Sequence, residues 1–485
     1  MDAHRAAEVG ESPPIDSHYD AIVVGTGFGS SFFLQKLLAR RAIGRVLVLE
    51  WGDRRSHQWQ VENRANSAIP AKSTFRSDAD KPWNFTIGFG GGTNCWFAQT
   101  PRFHPNDFRL KSLYGVGADW PVSYEQLEPF YLDAERIMSV SGDADMSAVA
   151  PRSGPFPQPP HRLTAPDRLM KAAQPDRHFA MPTARARVAT ERRSACCASF
   201  RCNLCPVDAK FTVLNGMAEI YEAPQVTLLL GSEVRTLEAD AANVRKVTYR
   251  RGGNEHTATA DLFVLGANAI HSPAILQRSG LAGELVGRGL HESYGVHVEA
   301  YLDGLDNFDG STITTGLNYG LYDGPFRSEY AGALVYFDNR WIHGLRPERG
   351  RFRQILPLMI VTEDLLENEN RVTVDGDGAV RVHYKGASAY TRRGQEEAFR
   401  KLSTLLAPLP IETIEFRSER PTESHLQGTL RMGEGPADSV VDAGLLHHRL
   451  RNLVVVGTSV FPSCSCANPS LTAAALSLRA ASQLA

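Results

Sequence analysis

Residues 18–50 read HYDAIVVGTGFGSSFFLQKLLARRAIGRVLVLE. The run HYDAIVV is a short apolar strand, and GTGFGSS is a tight turn. Phe33, Leu34, Leu37 and Leu38 then recur at helical spacing. Gly44 stops that helix, with the Arg40–Arg41 pair inside it, and RVLVLE forms the next strand. Strand, turn, helix and strand make one βαβ unit of a parallel sheet, which predicts an α/β fold. Gly25, Gly27 and Gly29 surround Phe28 in a G-x-G-x-G-S pattern. Ser30 stands where the strict fingerprint has its third glycine, a place that needs a small residue for helix–strand packing. The first two glycines allow the turn and the close approach of a pyrophosphate, toward which the helix N-terminus directs free N–H groups. Glu50 ends the second strand, about 20 residues after the turn. A carboxylate there accepts from adenosine ribose hydroxyls and repels a 2′-phosphate. The segment predicts dinucleotide binding and does not by itself separate FAD from NAD.

The 485 residues are 42% hydrophobic and 22% charged, with a formal net charge of -2. That is ordinary globular composition. The length suggests about three domain-sized units, and the charge excludes the basic excess of a nucleic-acid binder. The Arg-rich stretch at Arg185, Arg187, Arg192 and Arg193 reads as a solvated loop. No apolar run reaches the roughly 20 residues that span a bilayer. The N-terminal MDAHRAAEVGESPPIDSHYD is acidic and polar, so it reads as a disordered lead-in and not as a signal peptide. Cytoplasmic location is the default, and export with a partner subunit stays open.

Further on, residues 123–141 and 388–406 read as helices, and 150–160 as a Pro-rich extended loop. Short strands over 226–265 end in DLFVLGAN, and a helix is expected from about Ser272–Pro273. Residues 295–385 are β-rich, with HVEAYLDG, RQILPLMIVTED and NRVTVDG the clearest strands. The chain closes with the strand RNLVVVG, a Cys- and Pro-containing turn, and a helix from about Pro469.

Five stretches, in order, carry a resemblance beyond the dinucleotide turn. They are GFGGGTNCWFAQTPRFHPNDF, YGVGADWPVSYEQLEPFY, LFVLGANAIHSPAILQRSG, SHLQGTLRMG and RNLVVVGTSVFPSCSCANPSLTAAALSLRAA. With GTGFGSS they resemble the glucose–methanol–choline (GMC) oxidoreductase family over nearly the whole chain, closest to the branch acting on sugars and polyols. The resemblance implies FAD on a Rossmann-like domain with a parallel sheet, interleaved with a β-rich α+β substrate domain. The expected FAD-binding domain is discontinuous, 18–140, 206–300 and 421–485. A Pro/Cys-rich insert occupies 141–205 and the substrate domain 301–420. The resemblance places Val234 beside the adenine, and the loop with Gly91, Gly92, Asn94 and Cys95 along the pyrophosphate and flavin. Gly457, Asn468, Pro469 and Ser470 complete the expected cofactor site. Relatives that bind FAD covalently carry a His just before the Trp of the Gly-rich loop; Cys95 precedes Trp96 here, so noncovalent FAD is expected.

The resemblance sets His425 and Asn468 on the substrate side of flavin N5. Alcohol oxidation needs such a pair. Hydride leaves the carbon as the O–H is deprotonated, which a neutral His performs as general base. Asn468 hydrogen-bonds the same oxygen without titrating, and it competes for the role of N-cap ahead of Pro469. His291, His447 and His448 read as structural. The helix beginning at Pro469, aimed at flavin N1, would stabilise reduced-flavin charge.

The seven cysteines include Cys196, Cys197, Cys202 and Cys205, followed by a CPVDAK tail. Some sugar dehydrogenases of the family hold a 3Fe–4S cluster on a similar segment, and thiolates at such spacing suit Fe–S or zinc. The expectation is a metal set on these four, against ordinary loop thiols. Cys464 and Cys466 read as small buried side chains. The leading function is FAD-dependent oxidation of an alcohol group on a sugar, polyol or sugar-bearing metabolite. The alternatives are an oxygen-using oxidase and a non-catalytic flavoprotein electron-transfer subunit.

Overall fold

The computed structural model describes residues 18–39 and 43–484. Residues 1–17 of the N-terminal lead-in and the Arg40–Arg41 pair lie outside them, while residues 18–20 open the first strand. A seven-stranded sheet is built around His18–Val24, which runs parallel to Val46–Leu49 on one side and to the end of Asn254–Leu265 on the other. Val226–Leu229 extends the first side, again parallel. Leu453–Val455 joins Phe263–Leu265 in parallel, while the start of that long strand pairs antiparallel with Val244–Arg251. Ala21, Ile22 and Val23 are fully buried, as expected of a strand covered on both faces.

Phe28–Leu38 and Ser470–Gln483 pack against each other, and Tyr124–Met138 packs on the latter. Ala473, Ala474, Ala480 and Ala481 in the last helix are buried, and their small side chains permit that close approach. Two glycines of the turn are required sterically. Gly25 has φ +87°, and a Cβ there would lie 2.7 Å from the Gly266 carbonyl oxygen. A Cβ on Gly29 would lie 2.5 Å from the Gly457 nitrogen. Gly29 therefore provides the close packing, and Ser30 instead turns its hydroxyl back onto the Val24 carbonyl (2.9 Å).

A second, six-stranded sheet has the order Ile411–Glu419, Tyr294–Leu302, Ile355–Thr362, Ala333–Asp338, Thr314–Leu321, His178–Ala180. It begins before residue 301 and takes its last strand from the expected 141–205 insert, because Phe179 pairs with Leu317 in register. Alternation along its strands sorts the two faces. Val335, Phe337, Leu358 and Ile360 pack on one face with Leu402 and Leu405 of the helix Ala389–Leu405. Leu334, Tyr336, Met359 and Val361 cluster on the other face with Cys466, at the junction with the first sheet. A buried ionic group, Arg327 with Asp107 (2.9 Å) and Glu363, closes the same junction. Among the described residues, no helix is long and apolar enough to cross a membrane.

Two expectations are corrected by the packing. The helix expected near Ser272 starts at Asn268, with Pro273 inside it. Proline cannot donate to the carbonyl four residues back, and the Thr429 hydroxyl takes that Ala269 carbonyl instead (2.7 Å). In the Arg-rich stretch, Arg192 is exposed but Arg185 and Arg193 are buried. Arg185 donates to Thr312 Oγ1 (2.7 Å) and to the Phe97 carbonyl, and Arg193 to the carbonyls of Ala184 (3.0 Å) and Met138 (2.9 Å). Their charge pattern suggested solvent, yet each finds backbone acceptors inside.

Candidate active site

One cavity runs from the glycine turn to the junction between the sheets. Gly25, Gly27, Phe28, Gly29, Glu50 and Val234 line one end. Gly91, Gly92 and Cys95 line its middle; Gly457, Pro469 and Ser470 lie opposite, with His425 and Asn468 at the far end. Two glycine loops meet here: a Cβ on Gly91 would lie 2.8 Å from Gly27 Cα. The helix N-termini at Gly27 and Pro469 have no side-chain cap and no acidic residue in the first turn. Their N–H groups are left for an anion. This cradle, with a carboxylate at one end, fits FAD.

Glu50 lines the cavity and is bonded to the backbone around it. Its Oε2 accepts from Thr26 N (3.1 Å) and Thr26 Oγ1 (2.8 Å), and Oε1 accepts from Gly52 N (3.0 Å). It thus braces the glycine turn while its side chain lines the cavity. Burial raises its pKa. Ser30 and Asn94 are not in the cavity wall. Asn94 instead donates to the Phe89 carbonyl (2.8 Å), pinning its own loop.

His425 is held at both ring nitrogens. Its Nδ1 lies 2.9 Å from Ser293 Oγ, and its Nε2 lies 3.3 Å from Asn468 Nδ2. Asn468 Oδ1 accepts from the Tyr336 hydroxyl (3.1 Å), which also reaches the Cys466 carbonyl (3.2 Å). With Oδ1 held by Tyr336, the amide N–H₂ points at Nε2. Nε2 must then accept, so Nδ1 carries the proton and donates to Ser293. Asn468 is used in this chain and does not cap the helix that follows. Burial, with a smaller contribution from the Arg420 charge, pushes His425 down to about 3. The ring is neutral at working pH.

The backbone before His425 is held as firmly. Ser424 has φ 62°, a left-handed conformation rare for serine. Glu292 fixes it, accepting from the His425 N–H (3.1 Å) and Thr422 Oγ1 (3.0 Å) while pairing with Lys81. Sequence reasoning missed Ser293, Glu292 and Tyr336, which lie 132, 133 and 132 positions from the residues they serve. No local motif marks them, although Glu292 and Ser293 stand beside His291 in LHESYG. His291, His447 and His448 are bonded to Gly289 O, to the N–H of Arg449 and Leu450, and to Ser439.

The cysteine segment does not form a ligand set as folded. Cys197 is exposed, Cys196 contacts Thr312 Oγ1 (3.6 Å), and Cys205 accepts from Ala209 N (3.2 Å). Burial raises the Cys202 thiol to about 11, which keeps it protonated. Among the described residues, no three His, Cys, Asp or Glu side chains are grouped to hold a metal ion. Cys464 and Cys466 are buried and unpaired, with thiols raised well above the ordinary value by burial.

Comparison with known proteins supplies context for this geometry. Residues 368–477 match the family model described as GMC oxidoreductase. The chain is 28% identical to the fructose dehydrogenase large subunit of Gluconobacter japonicus, over 95% of this chain and 97% of that protein. It is 29% identical to 6'''-hydroxyparomomycin C oxidase of Streptomyces lividus, over 97% and 92% of the two chains. Among solved structures it is similar to pyridoxine 4-oxidase from Mesorbium loti, with TM-score 0.66, 18% identity, and 96% and 99% of the chains covered. It is also similar to a formate oxidase of Aspergillus oryzae RIB40 studied for FAD modification, with TM-score 0.68, 16% identity, and 96% and 98% covered.

Proposed function

We propose that this chain, which belongs to the GMC oxidoreductase family, oxidises an alcohol group of a sugar, polyol or sugar-bearing metabolite to a carbonyl. The observation that carries this reading is the neutral His425 joined to Asn468 at one end of a dinucleotide-shaped cavity. FAD, when bound, supplies the acceptor for the hydride that leaves the alcohol carbon. On binding, the substrate hydroxyl replaces Asn468 Nδ2 as the partner of His425 Nε2 and lies within reach of both atoms, which are 3.3 Å apart. Nε2 takes the hydroxyl proton as the C–H bond breaks, and Nδ2 donates to the same oxygen and fixes its direction. Ser293 holds the tautomer in which Nε2 carries a lone pair and can accept a proton. The walls around Met359 and Leu426 keep water from the transfer. The N-terminus of Ser470–Gln483 faces the cavity and stabilises negative charge there.

The substrate class is supported by relatives named for fructose and for hydroxyparomomycin. Cys95 lines the cavity where a linking His would be needed, so FAD is held noncovalently. Anaerobic absorption titration of purified holoenzyme with sugars and polyols tests the reading. The flavin band should bleach with at least one alcohol, and acid precipitation should leave the yellow colour in the supernatant. No bleaching across the panel would sink the activity.

A second reading concerns electron exit. Similarity to a protein named as a large subunit favours a partner chain that takes electrons from this one. A three-iron cluster on Cys196, Cys197 and Cys202 would serve that transfer, but it needs the cysteine segment to close around the metal. Anaerobically purified protein containing about three irons per chain carries this reading. Iron-free protein that turns over with oxygen favours the oxidase.

A further inference from the structure

We propose that the substrate carries an oxyanion, a carboxylate or a phosphate, which Arg340 binds while His425 and Asn468 engage the hydroxyl. The proposal rests on the alcohol oxidation argued above and names its substrate class. Arg340 follows the strand Ala333–Asp338 and lines the same cavity as His425. Its side chain is only 10% exposed. Its Nε donates to Asp338 Oδ2 (2.8 Å), and its guanidinium lies over the Phe97 ring, 5.4 Å from the centroid. Among the described residues, the two terminal nitrogens have no hydrogen-bond partner. A nine-tenths buried guanidinium with an idle two-nitrogen edge toward a cavity is built for a bidentate oxyanion.

The fork is held in place. Asp338 Oδ1 accepts from Thr314 Oγ1 (2.6 Å), which itself accepts from Gln99 Nε2 (2.9 Å). Asp338 cannot swing without breaking that chain, so Nε stays committed and the free edge stays directed. The charge census of this end agrees. The charged groups lining it are Arg340, Arg420 and Glu423, and Asp338 stands behind Arg340. Arg420 pairs with Glu423 (3.1 Å) and rests an N–H on Met359 Sδ (2.6 Å). Glu423 is pushed up to about 7 by burial, and the protonated Cys202 thiol adds no charge. Near neutral pH the two arginines therefore outweigh the carboxylates, and a buried excess of positive charge favours an anionic guest.

The test uses holoenzyme and anaerobic flavin bleaching with D-glucitol, D-gluconate and D-glucitol 6-phosphate. One of the two anions should show a kcat/KM at least about 10-fold above glucitol, and which one identifies the oxyanion. Arg340→Met should erase that preference by about 10- to 100-fold, and Arg340→Lys should recover only part of it. A binding arm needs no turnover and no variant. Glutarate, which has no hydroxyl, should perturb the flavin absorbance at about 10-fold lower concentration than glutaramide. Glucitol as good as both anions, with an Arg340→Met ratio unchanged, overturns the proposal. If no alcohol bleaches the flavin, the alcohol oxidation itself fails, and equal binding of glutarate and glutaramide then decides against the anion site.

Discussion

Tyr336→Phe removes a single oxygen from the hydrogen-bond chain that orients the Asn468 amide. The hydroxyl is buried, and desolvation holds it well above its ordinary pKa, so it is a neutral donor at any working pH. It is 3.1 Å from Asn468 Oδ1 and 3.2 Å from the Cys466 carbonyl. A neutral hydrogen bond contributes about 1 kcal/mol net, so it biases the two amide orientations by roughly fivefold. Without it the productive orientation falls toward half occupancy, which costs about twofold. In the flipped state Oδ1 faces Nε2 and favours the tautomer that cannot accept a proton, which extends the loss to about 10-fold. Stopped-flow flavin reduction under saturating alcohol measures this directly, with FAD content and melting temperature as controls. Substrate binding should change less than the reduction rate. A wild-type rate would refute the orienting role. A loss beyond about 100-fold would refute it in the other direction, because that size belongs to a group acting on the reacting atoms.

His425→Ala should slow reduction by about 10²- to 10⁴-fold with FAD content unchanged, and Asn468→Ala should slow it less, both read by the same stopped-flow trace. Glu50→Ala should weaken FAD binding and leave the reduction rate of retained holoenzyme intact, since Glu50 holds Thr26 and Gly52 at the opposite end of the cavity; unchanged affinity in an apoprotein titration contradicts this. Stability should fall as pH drops from 6.5 toward 4. Burial holds His271 and His425 at about 3, and His161, His291 and His447 at about 4, so the unfolded chain takes up protons these rings refuse. Each ring contributes up to about 1.4 kcal/mol per pH unit in that window. Glu423 and Asp364, raised to about 7 and about 6, act in the opposite sense and offset part of it. Calorimetric melting temperatures that rise on acidification would contradict the balance.

The local chemistry of the chain was legible from its residues. A βαβ unit needs only apolar runs at the right periods and glycines at its turn, so Gly25 and Glu50 stand out within 33 positions of sequence, whereas the packing role read for Ser30 falls to Gly29, which only the approach of Gly457 reveals. His425 and Asn468 each sit in a short motif that carries the family resemblance, and the fold brings the two side chains to 3.3 Å. What surrounds them was not legible. Tyr336 reaches Asn468, and Met359 reaches the cavity, because strand alternation turns them to one face of the second sheet and away from the helix Ala389–Leu405. Ser293 and Glu292 act on His425 across a chain separation that no pattern encodes. The inward turn of Arg185, and the commitment of Asp338 that frees one edge of Arg340, likewise depend on which backbone or carboxylate oxygens lie within reach. Backbone geometry and apolar periodicity act between near neighbours, so a sequence determines them alone. The partner of a buried polar group is chosen by the whole packed interior, because only there does an unpaired donor become costly.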